Sequence, residues 1–596
     1  MKSVMDARMV RFVVLLFPCF SVLASDEGWA PSKHNERTLS QLQAEMSSGR
    51  LTSEQLTREY IARIVALDQN GPGVNSVIAL NPDALSMARR ADALRRQGKV
   101  LGPLHGIPVL LKDNIDTGDR MQTTAGSLGL VGAPAKQDAT VAANLRAGGA
   151  VLLGKTNMSE WSNFRSFASS GGWSAVGGQT NNPYGINRSP CGSSSGSGAA
   201  VSANFTAVSI GTETNGSIVC PANANGIVGI KPTVGLTSRA GVVPVSHTQD
   251  TVGAHARTVA DAAITLSVVQ SLTADTRDPA TAGVPLGWTG RPRPENIPTD
   301  YTQFLDPNGL RGARIGVTRR GGENAPPQVV EAFEATLDAI EAAGATLVDL
   351  DGAGFSFSPA DGEYLVLCYE FRDALRTYLA TRVGVPLGGK TLADAIAFNN
   401  ANAEKEMPFF GQDIFEQCNR LAPGPEDPQP DFGNSTYKQA LEIDRLSGVN
   451  GIDKAIADFN LDAVMTVTNN PPWPTDLLYG DRILFASSTL AAAAGYPIVQ
   501  VPAGNVLGLP LGVSFFGTAF SEPKLIKLAS GFEAVTQERA KNLPTFAPML
   551  PAAKNVKGAS TSSARARADS LSTADSRRQS LKRPLKKPVE HPASSR

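Results

Sequence analysis

The sequence predicts an α/β fold, and three features of its texture carry that reading. Between Gly102 and Asp261, short apolar runs such as IPVLL and AVLLG alternate with glycine-rich turns and helix-like stretches, as strands alternate with covering helices. A helical apolar period occupies Pro327–Gly344. Strand-like runs then return at Leu461–Val467, in GYPIVQVPAG (Gly495–Gly504) and in LGVSFFG (Leu511–Gly517).

In chain order, Lys2, Arg8 and Arg11 precede an apolar run, Phe12–Leu23, and Val22-Leu23-Ala24 offers a small-residue cleavage site. This is the pattern of a secretory signal over residues 1–24. The run is shorter than the roughly 20 residues a bilayer-spanning helix needs, so no integral membrane segment is expected once it is removed. The alternatives are a membrane anchor or a buried first helix. Thr38–Asp68 predicts two helices broken at Gly49, the second opened by a capping box of Thr52 and Gln55. Its apolar face is Leu56, Tyr60, Ile61, Ile64 and Leu67. Ala274–Asn308, rich in proline and polar residues, predicts a long surface excursion. Beyond Pro551 a Ser/Ala/Arg/Lys/Pro mixture lacks any apolar period, so residues 552–596 are expected to be a disordered tail.

That tail holds 11 Lys and Arg against 3 Asp and Glu, whereas the whole chain has zero net charge. A nearly neutral body gives no reason to expect a nucleic-acid partner. An apolar fraction of 42% with 18% charged residues is that of a soluble globular protein. Oligomeric state is left open. Outside the leader stand Cys191, Cys220, Cys368 and Cys418. Four cysteines in so long a chain are not a disulfide scaffold, and free buried thiols are the expectation. No CxxC or His/Cys cluster suggests a metal, and no cofactor is expected.

Two motifs mislead. Gly149–Thr156 fits the phosphate-loop pattern GxxxxGK[ST], but Ala150–Leu153 is an apolar run suited to a buried strand rather than to a cradle of converging N–H groups. Gly192–Gly196 fits the GxSxG elbow, which would make Ser194 the nucleophile of an α/β-hydrolase-type esterase. That elbow needs a strand running into it and an acid and then a histidine downstream. NRSPC precedes it instead, and only His247, His255 and His591 follow.

The chemistry concentrates elsewhere. Lys112 ends the apolar run of GPLHGIPVLLKDNID, where a buried lysine is costly unless neutral or paired. Acting as a base near pH 7 takes a bias of about 4 kcal/mol, within reach of full burial. Asp113 and Asp116 are candidate partners that would keep it charged. Downstream, Cys191–Cys220 places a Gly/Ser loop, a small-residue helix, a strand over about Thr206–Ile210 and a second small-residue turn, Gly211–Ser217, in succession.

KDN at Lys112–Asn114, GSSSG at Gly192–Gly196 and GTETNGS at Gly211–Ser217 resemble, in order and spacing, the signature elements of the amidase signature family. The resemblance covers about residues 38–540. TTAGS (Thr123–Ser127), GKTNMSEWSNFRS (Gly154–Ser166), GWSAVGGQTNNPY (Gly172–Tyr184), SPCGSSSGSG (Ser189–Gly198), MPFFGQDIF (Met407–Phe415) and PPWPTD (Pro471–Asp476) look like its bacterial peptide-amidase branch. The resemblance implies a single α/β/α domain over 25–551 with a large mixed twisted sheet covered by helices. It implies Ser217 as nucleophile, Ser193 as a middle member held by a cis peptide, and Lys112 as base. Backbone N–H groups of Thr214, Asn215, Gly216 and Ser217 would form the oxyanion hole, with Ser194 in support. The implied substrate is a linear amide, best a C-terminal peptide amide. Glu363–Gln429, as a flexible middle region, and the PPWPTD loop would set specificity. Trp161, Trp173 and Trp473 are candidate apolar walls or ordinary packing. Two positions depart from the family pattern: Asn215 replaces a small residue, and Val219 replaces an arginine that would pair with Glu213. Alternatives are the glutamine-hydrolysing component of a tRNA-dependent amidotransferase, the Ser194 esterase, or a non-catalytic binding protein.

Overall fold

In the computed structural model, which describes residues 32–283, 292–319, 322 and 325–549, the apolar runs read as strands line up in one mixed sheet. The strands are β1 (Val77–Leu80), β2 (Pro108–Lys112), β3 (Val151–Thr156), the short hairpin β4 (Trp173–Ser174) and β5 (Gly178–Gln179), β6 (Val208–Glu213), β7 (Val228–Lys231), β8 (Thr251–Ala256), β9 (Arg314–Val317), β10 (Thr346–Asp349), β11 (Ala463–Val467), β12 (Ile498–Val506) and β13 (Leu509–Phe516). Eleven of them form the sheet in the order β1-β3-β2-β6-β8-β7-β12-β13-β11-β9-β10. Strands β3, β2 and β6 are mutually parallel, and β6-β8-β7-β12-β13 are antiparallel in turn. The expected signal segment and basic tail lie outside the described residues.

Central strands are apolar without alternation because both sheet faces are covered. Successive residues of β11–β13 enter different cores. Val464, Ile498 and Phe516 pack with Ala455, Ala491 and Ala494 of the helices Lys454–Phe459 and Ser488–Ala493 and the residue after it. Met465, Val499 and Phe515 pack with Phe333, Leu337, Ile526 and Phe532 of the helices Pro327–Ala342 and Glu522–Thr536. The period of two thus becomes an α/β/α sandwich. The helices Leu39–Ser47 and Ser53–Arg63 each open on a capping box, Thr38 with Gln41 and Thr52 with Gln55. The strand expected over Thr206–Ile210 runs over Val208–Glu213 instead. No described helix is long and apolar enough to cross a membrane.

Three expectations need correction. The cysteines are paired, Cys191 with Cys220 and Cys368 with Cys418. Their separations of 29 and 50 residues hid partners that the fold brings to Cα distances of 5.9 and 4.7 Å. The middle region is a helical layer rather than a flexible one. Helices Glu363–Leu379, Leu392–Ala401, Asp413–Asn419 and Tyr437–Ser447 share an apolar core with Trp161 and Phe164. The Ala274–Asn308 excursion is partly anchored, since Asp278 holds the Arg239 guanidinium at 2.7 Å and Tyr301 is buried.

The phosphate-loop pattern is strand β3 with Gly149 and Ala150 before it. Lys155 is fully buried, its Nζ donating to the Ile115 and Gln122 carbonyls and to Thr123 Oγ1. Gly154 permits the close pairing with β1, because a Cβ there would stand 2.3 Å from the Ala79 carbonyl oxygen. Gly154→Ala is therefore expected to cost about 1–3 kcal/mol, read as an earlier midpoint in chemical denaturation. A phosphate-loop role would instead leave stability intact and abolish nucleotide binding.

Candidate active site

Because β3, β2 and β6 are parallel, their carboxyl ends meet along one edge of the sheet, where α/β folds place their ligands. Lys112 closes β2 beside Thr156 of β3, and β6 delivers Thr212 and Glu213 on its other flank. A helix of small residues, Ser195–Ser202, packs against these ends. At Gly196 an added Cβ would fall 2.2 Å from the Ser76 carbonyl oxygen, so only glycine lets the helix approach. The preceding loop carries Ser193 across a cis Gly192–Ser193 peptide bond. Beyond β6, the turn Thr214–Ser217 leads into the helix Val219–Ala224. The Cys191–Cys220 disulfide ties the serine loop to that helix, and the Ser194 N–H donates to the Ser217 carbonyl at 3.2 Å.

Lys112 is wholly buried, and its Nζ lies 2.7 Å from Ser193 Oγ, 2.9 Å from Thr212 Oγ1 and 3.2 Å from the Thr212 carbonyl oxygen: as an ammonium it donates to all three, and as an amine it donates to the two Thr212 oxygens and accepts from the Ser193 hydroxyl. All three partners are uncharged. Burial lowers its pKa to about 7 from 10.5, while more distant Asp250 and Glu213 act the other way. Neither aspartate named as a partner keeps it charged. Asp113 lies 4.0 Å from Lys155 Nζ and takes the Thr124 hydroxyl and N–H. Asp116 accepts from Arg382 at 3.1 Å and from the Tyr378 hydroxyl at 2.9 Å. With its pKa near 7, the lysine exchanges between ammonium and amine around neutral pH, with only neutral oxygens bonded to it.

Ser217 lies on the wall of a cavity of about 320 Å³ that is also lined by Gly192, Thr214, Asn215 and Gly216. Phe164, Val245, Leu367 and Ile483 make its apolar side. None of the backbone N–H groups of Thr214, Asn215, Gly216 and Ser217 has a protein acceptor among the described residues. They are donors left over at a cavity wall. A larger cleft, about 880 Å³, lies beyond the Val242–Asp250 segment, but none of Lys112, Ser193 and Ser217 lines it. Ser194 is occupied, its Oγ donating to the Thr212 carbonyl at 2.9 Å and accepting from the Thr212 N–H at 3.2 Å. His255 bonds the Ile218 carbonyl at 2.9 Å through Nε2, and burial holds its pKa down to about 4. His247 faces Glu370 at 3.5 Å. No histidine pairs with Ser194 among the described residues, which removes the base an esterase elbow requires.

The two departures from the family pattern have local explanations. Glu213, without an arginine at position 219, accepts the backbone N–H groups of Ile218 and Val219 at 2.7 and 3.0 Å. These are orphan donors at a helix start, which favour an anion. Asn215 is satisfied at both ends of its amide by side chains of other elements. Trp161, Trp173 and Trp473 are packing residues, all buried. Trp473 belongs to the expected PPWPTD loop, covers the Cys191–Cys220 bridge and donates Nε1–H to Asp481, itself a cavity residue, at 3.0 Å. Sequence reasoning missed Thr212 and Asp250. Thr212 sits inside the recognised GTETNGS motif; Asp250, which takes the Thr214 hydroxyl at 2.5 Å, carries no local signal.

With this geometry in place, the comparisons with known proteins agree. The family model Amidase matches residues 55–526. The native peptide amidase of Stenotrophomonas maltophilia superposes with a TM-score of 0.77 at 45% identity, over 87% of this chain and 100% of that one. A probable amidase of Arabidopsis thaliana is 40% identical over 84% of this chain and 90% of its own length. A glutamyl-tRNA(Gln) amidotransferase component of Salinispora arenicola is 31% identical over 82% of this chain and 95% of its own.

Holding the Lys112 amine near 7 costs about 4 kcal/mol of stability at neutral pH. The cost is full below about pH 7, where the folded lysine is charged too. It fades as pH rises towards 10.5, where the unfolded lysine also loses its proton. Lys112→Met should therefore stabilise the fold at pH 7 by about 1 kcal/mol, after roughly 1 kcal/mol for each of the three lost hydrogen bonds. Denaturant titrations at several pH values should show that gain shrinking as pH approaches about 10.

Proposed function

The chain belongs to the amidase family, and from that premise we propose that it hydrolyses a linear carboxylic amide, above all a C-terminal peptide amide, through an acyl-enzyme on Ser217. The observation that carries the reading is the buried Lys112 amine bonded at 2.7 Å to the hydroxyl of Ser193, the residue whose loop touches the Ser217 turn. Neutral Lys112 takes the Ser193 proton as Ser193 takes that of Ser217, so Ser217 Oγ adds to the amide carbonyl. The oxyanion meets the free N–H groups of the Thr214–Ser217 turn, each such donor being worth about 3–4 kcal/mol in the transition state. The Lys112 ammonium returns its proton through Ser193 to the departing nitrogen, which leaves as ammonia. Water then gives its proton to the same relay and its oxygen to the acyl carbon, freeing the acid. The peptide preference draws on the name of the Stenotrophomonas relative and on the apolar side of the cavity.

The reading extends to location. The leader-like residues 1–24 and two disulfides support secretion or a periplasmic site, since structural disulfides persist in oxidising compartments. Likeness to the glutamyl-tRNA(Gln) amidotransferase component favours a second reading, glutamine hydrolysis serving a partner, which needs the reducing cytosol.

Ammonia release from peptide, fatty and aryl amides, with glutamine alongside, tests both. Ser217→Ala and Lys112→Ala should each lose at least a thousandfold in kcat, whereas Ser194→Ala should keep measurable turnover. Full activity in Ser217→Ala with loss in Ser194→Ala would overturn the assignment. For the wild type, kcat/KM should fall tenfold per pH unit below about pH 7, as Lys112 takes up the proton it must be free to accept.

A further inference from the structure

Asn215 is an unusual residue for a turn built on small side chains, and its amide is fully committed. Its Oδ1 accepts from the Ser488 hydroxyl at 2.6 Å. Its Nδ2 donates to Thr489 Oγ1 at 3.0 Å and to the Glu363 carboxyl at 2.8 and 3.1 Å. Glu363 also accepts from Gln249 Nε2 at 2.7 Å. It opens the helix Glu363–Leu379, the same helix that sends Leu367 into the cavity wall and Cys368 into the second disulfide. The start of that helix is held close to helix Tyr437–Ser447, since a Cβ on Gly362 would meet the Ala440 carbonyl oxygen at 2.2 Å.

Its surroundings are acidic. Fully buried Asp444 faces it from helix Tyr437–Ser447, its pKa pushed up to about 9 by burial and by Glu363, Glu370 and Asp361. Burial raises the Glu363 carboxyl itself to about 7. No Lys, Arg or His lies within ion-pair distance of Glu363 among the described residues. A desolvated carboxyl without a cation is costly to keep, and here its hydrogen-bonding capacity goes to two amides, one of them in the turn beside Ser217.

We propose that Glu363 is a positioning residue: it clamps Asn215 so that the backbone N–H groups of the turn stay aimed into the cavity. The helical layer that walls the substrate cavity is thereby fastened to the nucleophile turn at one point. This rests on the amidase reading of that turn. The effect of the clamp falls on turnover, beyond whatever these bonds add to stability. A glutamine at 363 can still accept from Asn215, and its amide can donate to Gln249 Oε1, a buried oxygen that lacks a partner, once that side chain turns over.

The test is steady-state kinetics on a peptide amide, with the folded fraction of each variant fixed by chemical denaturation followed by tryptophan fluorescence. Glu363→Ala should lower kcat at least tenfold with KM within twofold, and Glu363→Gln should recover to within about threefold of wild type. Asn215→Ala combined with Glu363→Ala should be no slower than Asn215→Ala alone, because both cut the same clamp. Wild-type kcat in Glu363→Ala, a loss confined to KM, or losses that multiply in the double variant would overturn the proposal. If Glu363→Ala does not fold, Glu363→Gln decides: a tenfold loss there also overturns it. Failure of the amidase reading shows separately, as activity retained by Ser217→Ala in the same assay.

Discussion

The site depends on one constraint, an amine kept buried with no anion beside it. Lys112 is wholly buried at the end of a central strand, and its three hydrogen-bond partners are all neutral oxygens. Much of the neighbouring architecture keeps it so. Lys155 and Arg382 draw Asp113 and Asp116 away, and the start of helix Val219–Ala224 occupies Glu213. A single new carboxylate contact would restore the ammonium and, on the proposed mechanism, remove the base. The stability given up at Lys112 is typical of sites where function opposes folding.

Around that amine, two loops must hold register. The disulfide Cys191–Cys220 joins them, Gly196 lets the serine helix sit on the strand ends, and Asp250 and Glu363 hold the Thr214 and Asn215 side chains outward. The Thr214 and Asn215 side chains are thus engaged by protein while the N–H groups of the turn remain free. That division is what electrostatic preorganisation asks of the proposed oxyanion site: donors fixed before charge develops.

Much of this was legible in the sequence for physical reasons. IPVLLK reads as a buried strand ending in lysine, and Ala150–Leu153 is too apolar to be a phosphate cradle. Other features depend on distance in space. The partners of Asp113, Asp116 and Glu213 lie on other elements or in backbone amides, which no spacing reveals. Cysteines 29 and 50 residues apart carry no sign of pairing. The helix Glu363–Leu379 was readable, since buried Leu365, Cys368, Phe371, Leu375 and Leu379 follow a helical period. The proline- and glycine-rich stretches around it masked that signal, and with it the place of Glu363.

Folding alone should bring the Lys112 amine within reach near neutral pH. The most direct measurement is the NMR titration of the Lys112 side chain in protein labelled at lysine, assigned by its loss in Lys112→Met. Burial with neutral partners predicts a midpoint close to pH 7, well below the roughly 10.4 of a free lysine. A midpoint near that of a free lysine would show a charged Lys112 at neutral pH and rule out its use as a base.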